Sequence, residues 1–233
     1  MLTLNYEENN INTATLYLNG QRVARHSALL PTIVNISGRF AAERTRVEDF
    51  IQAIYAQYYG AEITVDYPLL MSVRNKDNDI LAAVGLRYAG NEPLFLEQYT
   101  GGPLEQILDC ARDDIAEIGN LASAGQGASV FLFSALASYL DYKGVTHAAV
   151  TGTDFLHKYF KRAGLRPRKI CDADINALEG GSQHWGSYYQ QNPRVLVGSV
   201  QHGVKALKSL FGAEFQARKP DLFTRIHYKG HAE

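Results

Sequence analysis

A stretch near the middle of the chain, Glu117-Ile-Gly-Asn-Leu-Ala-Ser-Ala-Gly-Gln-Gly-Ala-Ser129, connects two different hydrophobic patterns. Residues 115–122 are typical of an apolar strand, and residues 130–142 are strongly apolar over the length of a helix that ends at Lys143-Gly144. A glycine loop between a strand and a helix leaves backbone N–H groups unpaired at the positive end of the helix dipole. The stretch therefore predicts a strand, loop and helix that can hold a phosphate or pyrophosphate.

This loop matches neither of two common phosphate-binding patterns. Gly125-Gln-Gly127 is not followed by the Gly-Lys-Ser/Thr of a Walker loop, and the third glycine of a dinucleotide-binding loop is missing. A tight turn whose glycines answer only a steric demand is the alternative interpretation. The loop by itself leaves both open.

The residues before this stretch predict strands with one long helix among them. The predicted elements are an edge strand at 13–19 ending in an Asn19-Gly20 turn, a helix from Glu43 to Gly60, a hairpin of 69–74 and 79–88, a third strand at 94–99, and a short helix at 104–111.

The residues after it alternate between strand and helix patterns. The predicted elements are a strand at 147–151, a helix at 153–162, extended residues at 165–170, an irregular aromatic segment at 178–191, extended residues at 194–200, and an amphipathic helix at 200–211. Strands and helices that follow one another in this way predict an α/β fold.

Composition excludes several classes of protein. The chain has 233 residues, with 23 Lys and Arg against 24 Asp and Glu, so it lacks the strong positive charge of a dedicated nucleic-acid binder. The N-terminal residues lack the basic and apolar regions of a secretory signal. The apolar run at 128–140 is shorter than the ~20 residues of a membrane-spanning helix. We therefore expect a cytoplasmic protein with no transmembrane segment and no nucleic-acid partner.

Two further kinds of chemistry find no support in the sequence. The seven histidines form no His-x-x-x-His pair and no zinc-type spacing with Cys110 or Cys171, so we expect no metal site. The chain has no Gly-x-Ser-x-Gly motif, which disfavours serine hydrolysis. We expect one domain over residues 1–212, including an N-terminal extension, followed by a loosely packed tail at 213–233.

The central loop and the helix at 153–162 together resemble the GNAT superfamily of N-acyltransferases. In that superfamily the fourth strand leads into a pyrophosphate-binding loop and helix, and a later helix closes with an aromatic residue shortly before Gly-Phe. Lys161-Arg-Ala-Gly164-Leu165 occupies the position of that ending. The similarity covers roughly residues 69–170.

A more specific resemblance is to the thermostable hemolysin family, which is similar to a GNAT derivative. Six ordered segments carry it: Leu96-Glu-Gln-Tyr99, Glu117-Ile-Gly-Asn-Leu-Ala-Ser123, Thr151-Gly-Thr153, Arg162-Ala-Gly-Leu-Arg-Pro167, Asp172-Ala-Asp174, and Trp185-Gly-Ser-Tyr-Tyr189 followed by Pro193. The Glu117 segment is also similar to the fourth strand of acyl-homoserine-lactone synthases and N-acyl amino acid synthases.

The resemblance implies a mixed, mostly antiparallel sheet with helices on both faces and a splayed central cleft. It also implies an acyltransferase that moves an acyl group from acyl-CoA or acyl carrier protein to an amine of a small-molecule acceptor, without a tightly bound cofactor. The loop that would bind this donor consists of Leu121, Ala122, Ser123, Gly125, Gln126, Gly127, Ala128 and Ser129.

Such a reaction needs a base for the amine and polarisation of the thioester carbonyl. Glu117 is the favoured base and Glu97, on an adjacent predicted strand, is the second candidate; a salt-bridged or capping carboxylate is the alternative for both. Asn120 can orient the carbonyl or satisfy a strand-end backbone group. Tyr159 is the candidate general acid.

Departures from the GNAT pattern point to an unusual donor or to lost catalysis. The Gln or Arg that usually begins the loop is replaced by Ala122 or Ala124, the usual tyrosine falls on Phe160 next to Tyr159, and Asn120 stands where the lactone synthases have Arg.

Three aromatic residues, Trp185, Tyr188 and Tyr189, could form the wall of a substrate site or a packed lid over the core. Two other functions remain as alternatives: a membrane-active hemolysin, as the family name indicates, and a GNAT-like domain that binds without catalysis.

Overall fold

The computed structural model describes residues 1–178 and 184–218, which form one ten-stranded sheet and seven helices. The strands are β1 (Leu2–Glu8), β2 (Ile11–Leu18), β3 (Pro31–Gly38), β4 (Leu69–Asn75), β5 (Ile80–Tyr88), β6 (Ile115–Ser123), β7 (His147–Gly152), β8 (Arg168–Asp172), β9 (Arg194–Ser199) and β10 (Glu214–Ala217). The helices are α1 (Gly20–Val23), α2 (Arg44–Tyr59), α3 (Glu97–Thr100), α4 (Leu104–Leu108), α5 (Ala128–Tyr142), α6 (Asp154–Arg162) and α7 (Val200–Phe211). Short 3-10 turns lie at Arg112–Asp114, Ile175–Ala177 and Tyr188–Gln191.

The strands lie in the order β10-β2-β1-β3-β4-β5-β6-β7-β9-β8. Only the pairs β1/β3 and β6/β7 are parallel among the described strands, and all other neighbours are antiparallel. The prediction of a mixed, mostly antiparallel sheet is therefore confirmed.

The sheet opens between β6 and β7. These strands pair only from Ile115↔His147 to Ile118↔Val150. Beyond that point β6 continues along β5, while β7 continues along β9 through Thr151↔Val195. The resulting gap is the splayed cleft expected in the middle of the sheet.

Helices cover both faces because side chains alternate along each strand. Leu70 of β4 packs in a cluster with Val47 and Ile51 of α2, whereas the next residue, Met71, belongs to the cluster that contains Phe131 of α5. Helix α7 packs beside α5. Each face of the sheet is thus buried under its own helices.

Several predicted elements are confirmed within a few residues: α2, the β4–β5 hairpin, β6, α5, β7, α6, β9 and α7. Helix α2 ends where Gly60 adopts a left-handed conformation with φ of 61°, as expected of a helix-terminating glycine. Strands β1 and β3 were not predicted.

Two predictions for the first half are wrong. Residues 94–99 do not extend the meander; they form a turn leading into α3, because the amides of Phe95 and Leu96 bond to a side chain rather than to a neighbouring strand. Strand β2 is not at the edge of the sheet, and residues 20–23 form helix α1, capped by Asn19, rather than a hairpin turn.

The edge beyond β2 is occupied by β10, which pairs from Glu214↔Tyr17 to Ala217↔Ala14. The expectation of a loosely packed tail is wrong for these four residues, and residues 219–233 lie outside the described part of the chain. None of the helices in the described part of the chain has the length and hydropathy needed to cross a bilayer.

Candidate active site

The strand β6 carries a bulge where the sheet opens. Asn120 has a positive φ of 49°, and the register with β5 shifts between Ala83↔Ala122 and Gly85↔Gly119. The bulge adds a residue to β6, so the alternation of its side chains changes at Asn120. Bulges beside a gap in a sheet re-aim side chains, and this one directs Asn120 to the face covered by α2.

Tyr67 fills the space beside this bulge. A Cβ built on Gly119 would lie 1.8 Å from the Tyr67 hydroxyl oxygen, and one on Gly85 would lie 2.4 Å from the ring. Both positions are therefore restricted to glycine by the buried tyrosine ring. The two glycines allow Tyr67 to lie flat on the sheet with its hydroxyl directed at Glu117.

Glu117 is buried, with 1% of its surface exposed, and its carboxylate accepts three hydrogen bonds. The Tyr67 hydroxyl donates to Oε1 at 3.1 Å, the Leu96 amide to Oε1 at 3.1 Å, and the Phe95 amide to Oε2 at 2.7 Å. Burial raises the pKa of Glu117, and this effect exceeds the lowering by the Phe95 amide, the Arg87 charge and the other donors. A raised pKa makes the ionised Glu117 carboxylate a stronger base than an ordinary exposed glutamate.

Arg87 lies next to Glu117 and is almost fully buried. Its guanidinium is 3.9 Å from Glu117, 3.7 Å from Glu92 and 3.8 Å from Asp66, and it lies over the Tyr67 ring at 5.0 Å. Three carboxylates therefore surround one guanidinium. Its Nε atom, which is buried, has no hydrogen-bond partner among the described residues.

A cavity of about 370 Å³, here called the aromatic cavity, lies over Tyr67 and the bulge. Its described lining consists of seven aromatic residues, seven polar residues and three others: Tyr55, Tyr67, Phe95, Tyr99, Trp185, Tyr188 and Tyr189, with Glu62, Thr64, Asp66, Arg87, Asn120, Thr151 and His184, and with Ile63, Gly119 and Leu178. Glu117 lies behind Tyr67 and Phe95 rather than in this lining.

A second cavity, of about 360 Å³ and here called the apolar cavity, lies under α5, α6 and α7. Aliphatic and aromatic carbon dominates its lining, which includes Ile118, Leu121, Phe133, Leu136, Ala137, Leu140, Ala148, Val150, Leu156, Phe160, Leu165 and Leu207. Arg166 and His202 contribute polar atoms to it.

The two cavities share the same strands. Ile118 of β6 and Val150 of β7 face the apolar cavity, while their neighbours Gly119 and Thr151 face the aromatic cavity. Strand alternation places adjacent residues on opposite faces of the sheet. Since β6 and β7 separate after these residues, the cavities lie back to back at the opening of the sheet.

The glycine loop lies where β6 passes into α5. Gly125, Gln126 and Gly127 all have positive φ values, and the amides of Gln126, Gly127 and Ser129 donate to no described residue. The loop is held from outside by Ser27, whose hydroxyl donates to the Gln126 carbonyl at 2.7 Å. Unpaired amides at the start of a 15-residue helix form a potential anion site.

At least one glycine of this loop is also required because a side chain would not fit. A Cβ on Gly127 would lie 2.3 Å from the His26 carbonyl oxygen, so the backbone of residues 26–27 requires glycine there. The Gly125 amide is satisfied by the Ser123 hydroxyl at 3.2 Å. Both interpretations of the loop therefore find support in the geometry.

Glu97 occupies a different position from the predicted one. It begins α3 rather than lying on a strand, and its carboxylate binds Arg112 at 2.8 Å and the amides of Leu94 and Leu104. Burial raises its pKa, but hydrogen bonds from Arg112 and the two amides outweigh burial, so the pKa is lowered. These contacts fit the salt-bridged alternative, in which Glu97 joins α3 to α4.

The predicted general acid also lies apart from the two cavities. Tyr159 packs against Phe133 with ring centroids 5.5 Å apart, and burial raises its pKa to about 12. Among the described lining residues, its neighbour Phe160 faces the apolar cavity and Tyr159 faces neither.

The aromatic segment predicted as a wall or lid is part of the aromatic cavity. The Ser187 amide donates to the Tyr59 carbonyl at 2.8 Å, and the Glu62 amide donates to the His184 carbonyl at 2.8 Å. These bonds fasten residues 184–189 to the chain that follows α2. Trp185, Tyr188 and Tyr189 are thereby placed opposite Tyr67.

Sequence reasoning missed Tyr67 and Arg87. A usable signal was present in Ala61-Glu-Ile-Thr-Val-Asp-Tyr67, where apolar and polar residues alternate strictly. The apolar members are buried, and the polar members Glu62, Thr64 and Asp66 face the aromatic cavity. Nothing local in the sequence indicated that Tyr67 would meet Glu117.

A splayed, mostly antiparallel sheet with a glycine loop between β6 and α5 defines a GNAT-like fold. Known structures with this fold are similar to the chain. One is the CoA-dependent acyl-homoserine lactone synthase MesI, with 16% identity over 77% of this chain and 95% of that chain at a TM-score of 0.52.

Two further structures give the same result. TofI in an apo form has 12% identity, covering 75% of this chain and 95% of that chain at a TM-score of 0.54. FeeM, an N-acyl amino acid synthase from uncultured soil microbes, has 14% identity, covering 77% and 95% at a TM-score of 0.50. At these identities the similarity establishes the fold.

The family is established by a separate comparison. The model of the thermostable hemolysin family matches residues 38–204, so the chain belongs to that family, as the ordered motifs predicted. A search of curated proteins found no match.

Proposed function

We propose that the protein is an acyltransferase that moves an acyl group from a thioester donor to the amine of a small molecule. The observation that carries this proposal is the pair of cavities at the β6–β7 opening, one apolar and one aromatic and polar. The apolar cavity would take the acyl chain, because its lining offers carbon surface and few polar groups. The aromatic cavity would take the acceptor.

The thioester carbonyl would lie in the gap between Gly119 and Thr151, where the two cavities adjoin. The unpaired amides of Gln126, Gly127 and Ser129 would hold a phosphate of the donor, supported by the dipole of α5. Asn120 lines the aromatic cavity beside the gap and would donate from its amide to the carbonyl oxygen.

Glu117 would accept the proton of the amine through Tyr67. Tyr67 lines the cavity and its hydroxyl donates to Glu117, so a proton would pass to the hydroxyl oxygen as the hydroxyl proton moves to the carboxylate. Glu97 has no part in this step, because its oxygens are occupied by Arg112 and two amides.

The proposed reaction transfers the acyl group from the sulfur of the thioester to the nitrogen of the acceptor. An ammonium acceptor gives one proton to Glu117, and the neutral amine attacks the thioester carbon. A C–N bond forms, the C–S bond breaks, and the second amine proton leaves with the thiolate as a free thiol. Glu117 then returns its proton to water.

The name of the MesI structure describes a CoA-dependent enzyme. The donor of this chain would therefore be acyl-CoA or an acyl carrier protein, whose thioesters end in the same phosphopantetheine arm. The acyl acceptor would carry a primary or secondary amine, because acylation requires an N–H that can be lost.

Thermal-shift titration and thiol release test the proposal. Decanoyl-CoA and a decanoyl carrier protein should each be titrated against the purified full chain, and thiol release should be followed with a panel of primary amines. We expect at least one thioester to raise Tm, and thiol release to depend on an amine.

The variant Glu117→Gln separates binding from catalysis. It should retain thioester binding and lose about 100-fold or more of amine-dependent turnover, as expected when a proton acceptor is removed. Glu214→Gln, on the exposed strand β10, is the matched control and should keep full turnover. Absence of any thioester binding, together with unchanged turnover in Glu117→Gln, would disprove the proposal.

A further inference from the structure

The aromatic cavity offers a ligand mainly ring faces. Trp185 meets Tyr188 at 5.5 Å and Tyr189 at 5.7 Å between ring centroids, and Tyr188 meets Tyr189 at 5.4 Å with planes at 80°. Phe95 lies 6.1 Å from Trp185 on another side. Since the rings are tilted or perpendicular to one another, they present faces in several directions around one space.

Four of the five tyrosine hydroxyls of this cavity already take part in hydrogen bonds within the protein. Tyr67 donates to Glu117, Tyr188 donates to the Thr151 carbonyl at 3.3 Å, and the hydroxyls of Tyr99 and Tyr189 bond to each other at 2.5 Å. The oxygens of these hydroxyls keep lone pairs, which a ligand with N–H donors can use. The π faces remain available.

The charge of the lining favours a cation. Glu62 and Asp66 line the cavity, and Arg87 is the one described lining residue with a permanent positive charge. That guanidinium lies within 4 Å of three carboxylates, so its field is largely offset. Asp66 is also paired with Arg39 at 2.9 Å.

Glu62 differs from Asp66 because it has no ion pair or side-chain hydrogen bond with any described residue. Its backbone amide is bonded to the carbonyl of His184, the residue before Trp185. Glu62 is exposed, and its side chain lines the same cavity as Trp185 without an ion pair to another described residue. A carboxylate and ring faces together form the usual environment of an organic ammonium ion.

We propose that the acceptor bound in the aromatic cavity is an organic cation, held over the rings of Trp185, Tyr188 and Tyr189 and by the carboxylate of Glu62. This inference rests on the proposed acyltransferase function and names the class of its acceptor. A positively charged amine enters the cavity as ammonium and reaches Tyr67, where the proton leaves before attack.

Trp185 gives a direct measurement of this binding, because it is the only tryptophan of the chain. Its fluorescence should be titrated with choline, with tetramethylammonium, and with 3,3-dimethylbutan-1-ol, which has the shape of choline without its charge. No acyl donor is added. A thermal-shift titration with decanoyl-CoA is run on the same samples, so the donor site is tested separately.

We expect both cations to change the fluorescence saturably, and the neutral alcohol to bind about tenfold or more weakly. Glu62→Gln should weaken choline binding about fivefold and leave the alcohol unchanged. Glu214→Gln, a matched change on the edge strand β10, should leave both titrations unchanged. Tyr189→Phe keeps the ring and should retain most of the choline affinity.

Equal binding of choline and the alcohol would overturn the proposal, because it would show stacking without recognition of charge. No response to either cation, in samples that still bind decanoyl-CoA, would also overturn it and would leave the acyltransferase proposal standing. Unchanged choline affinity in Glu62→Gln would remove the assigned role of that carboxylate.

Discussion

The apolar and aromatic cavities have nearly the same volume, about 360 and 370 Å³, and lie on opposite faces of the same two strands. Their chemistry nevertheless differs completely. Neighbouring residues of β6 and β7 face different cavities: Ile118 and Val150 line the apolar cavity, whereas Gly119 and Thr151 line the aromatic cavity. It shows that a sheet opened at one point can place two unlike sites back to back with no additional domain.

The cavities also differ in the contacts that stabilise their walls. The apolar cavity is formed by three helices that pack on the sheet, so its shape is distributed over many apolar contacts. The aromatic cavity is formed by three segments, 61–67, 94–99 and 184–189, and the hydrogen bonds to Glu117 hold the second of these. A change at one polar contact should therefore disturb the aromatic cavity much more.

The largest effect is expected from Gly119→Val. Its side chain would overlap the Tyr67 ring, displace the hydroxyl from Glu117 and close the opening of the aromatic cavity. We expect a loss of about 3 kcal/mol of stability, or roughly 6–12 °C in Tm. Calorimetry measures the stability, and amine-dependent thiol release should become undetectable.

Gly38→Ala is the control for this change, because a Cβ at Gly38 meets nothing within 4 Å. It should change Tm by only about 2 °C. A fully active and stable Gly119→Val protein would contradict the close contact between Tyr67 and β6.

A smaller effect, confined to the other cavity, is expected from Ala137→Phe. Ala137 lies on α5 and lines the apolar cavity, so a phenyl ring would fill the space of several methylene groups. Each lost methylene contact is worth about 0.8 kcal/mol. We expect turnover of decanoyl thioesters to fall about tenfold or more, while butanoyl thioesters are processed as before.

Chain-length profiles of kcat/KM measure this shift. Ala53→Phe, on the exposed side of α2, serves as the control and should leave the profile unchanged. An equal loss for all chain lengths in Ala137→Phe would mean that the apolar cavity does not receive the acyl chain.

The pH dependence of turnover tests the role of Glu117 beside the aromatic cavity. Since Glu117 must be ionised to accept a proton and burial raises its pKa, kcat/KM should rise with pH until that pKa is passed and then stay level. The charge of Arg87 lowers this pKa. Arg87→Gln should therefore move the rising limb to higher pH. A limb that stays in place would show that another group limits the rate.

The smallest effect is expected from Ser27→Ala, which removes the hydrogen bond to the Gln126 carbonyl. One such bond contributes about 0.5–1.5 kcal/mol. We expect KM for the thioester to rise about threefold with kcat unchanged. The rise should be equal for long and short acyl chains, because the loop would contact the donor's phosphate. A rise that depends on chain length would link the loop to the apolar cavity instead.

Local patterns in the sequence were sufficient for much of the fold. The helical spacing from Val47 to Tyr58, the turn-rich 75–78 and the small-residue loop before α5 each predicted the element that is present. These elements are encoded by residues close together in the chain, through side-chain period and turn chemistry. The family and the mixed, mostly antiparallel sheet were also predicted through motifs in order.

The residues of the candidate site were only partly predictable. Glu117 was favoured over Glu97 from the motif that contains it, but its neighbours Tyr67 and Arg87 were not predicted. Arg112 lies 15 residues from Glu97 and helps to lower its pKa. Tyr67 lies 50 residues from Glu117, whose pKa is raised by burial in spite of the hydrogen bond from Tyr67. No short-range pattern reports which partner a carboxylate will meet.

The sequence by itself determined α2, the β4–β5 hairpin, the succession of β6, glycine loop and α5, and the family. The tertiary structure alone decided that β10 covers β2, that residues 94–99 bond to Glu117 instead of forming a strand, and that two cavities meet at the β6–β7 opening. The reason is that periodicity and turn residues act over a few neighbouring positions. Burial, strand pairing and the environment of a charge depend on residues brought together from distant parts of the chain.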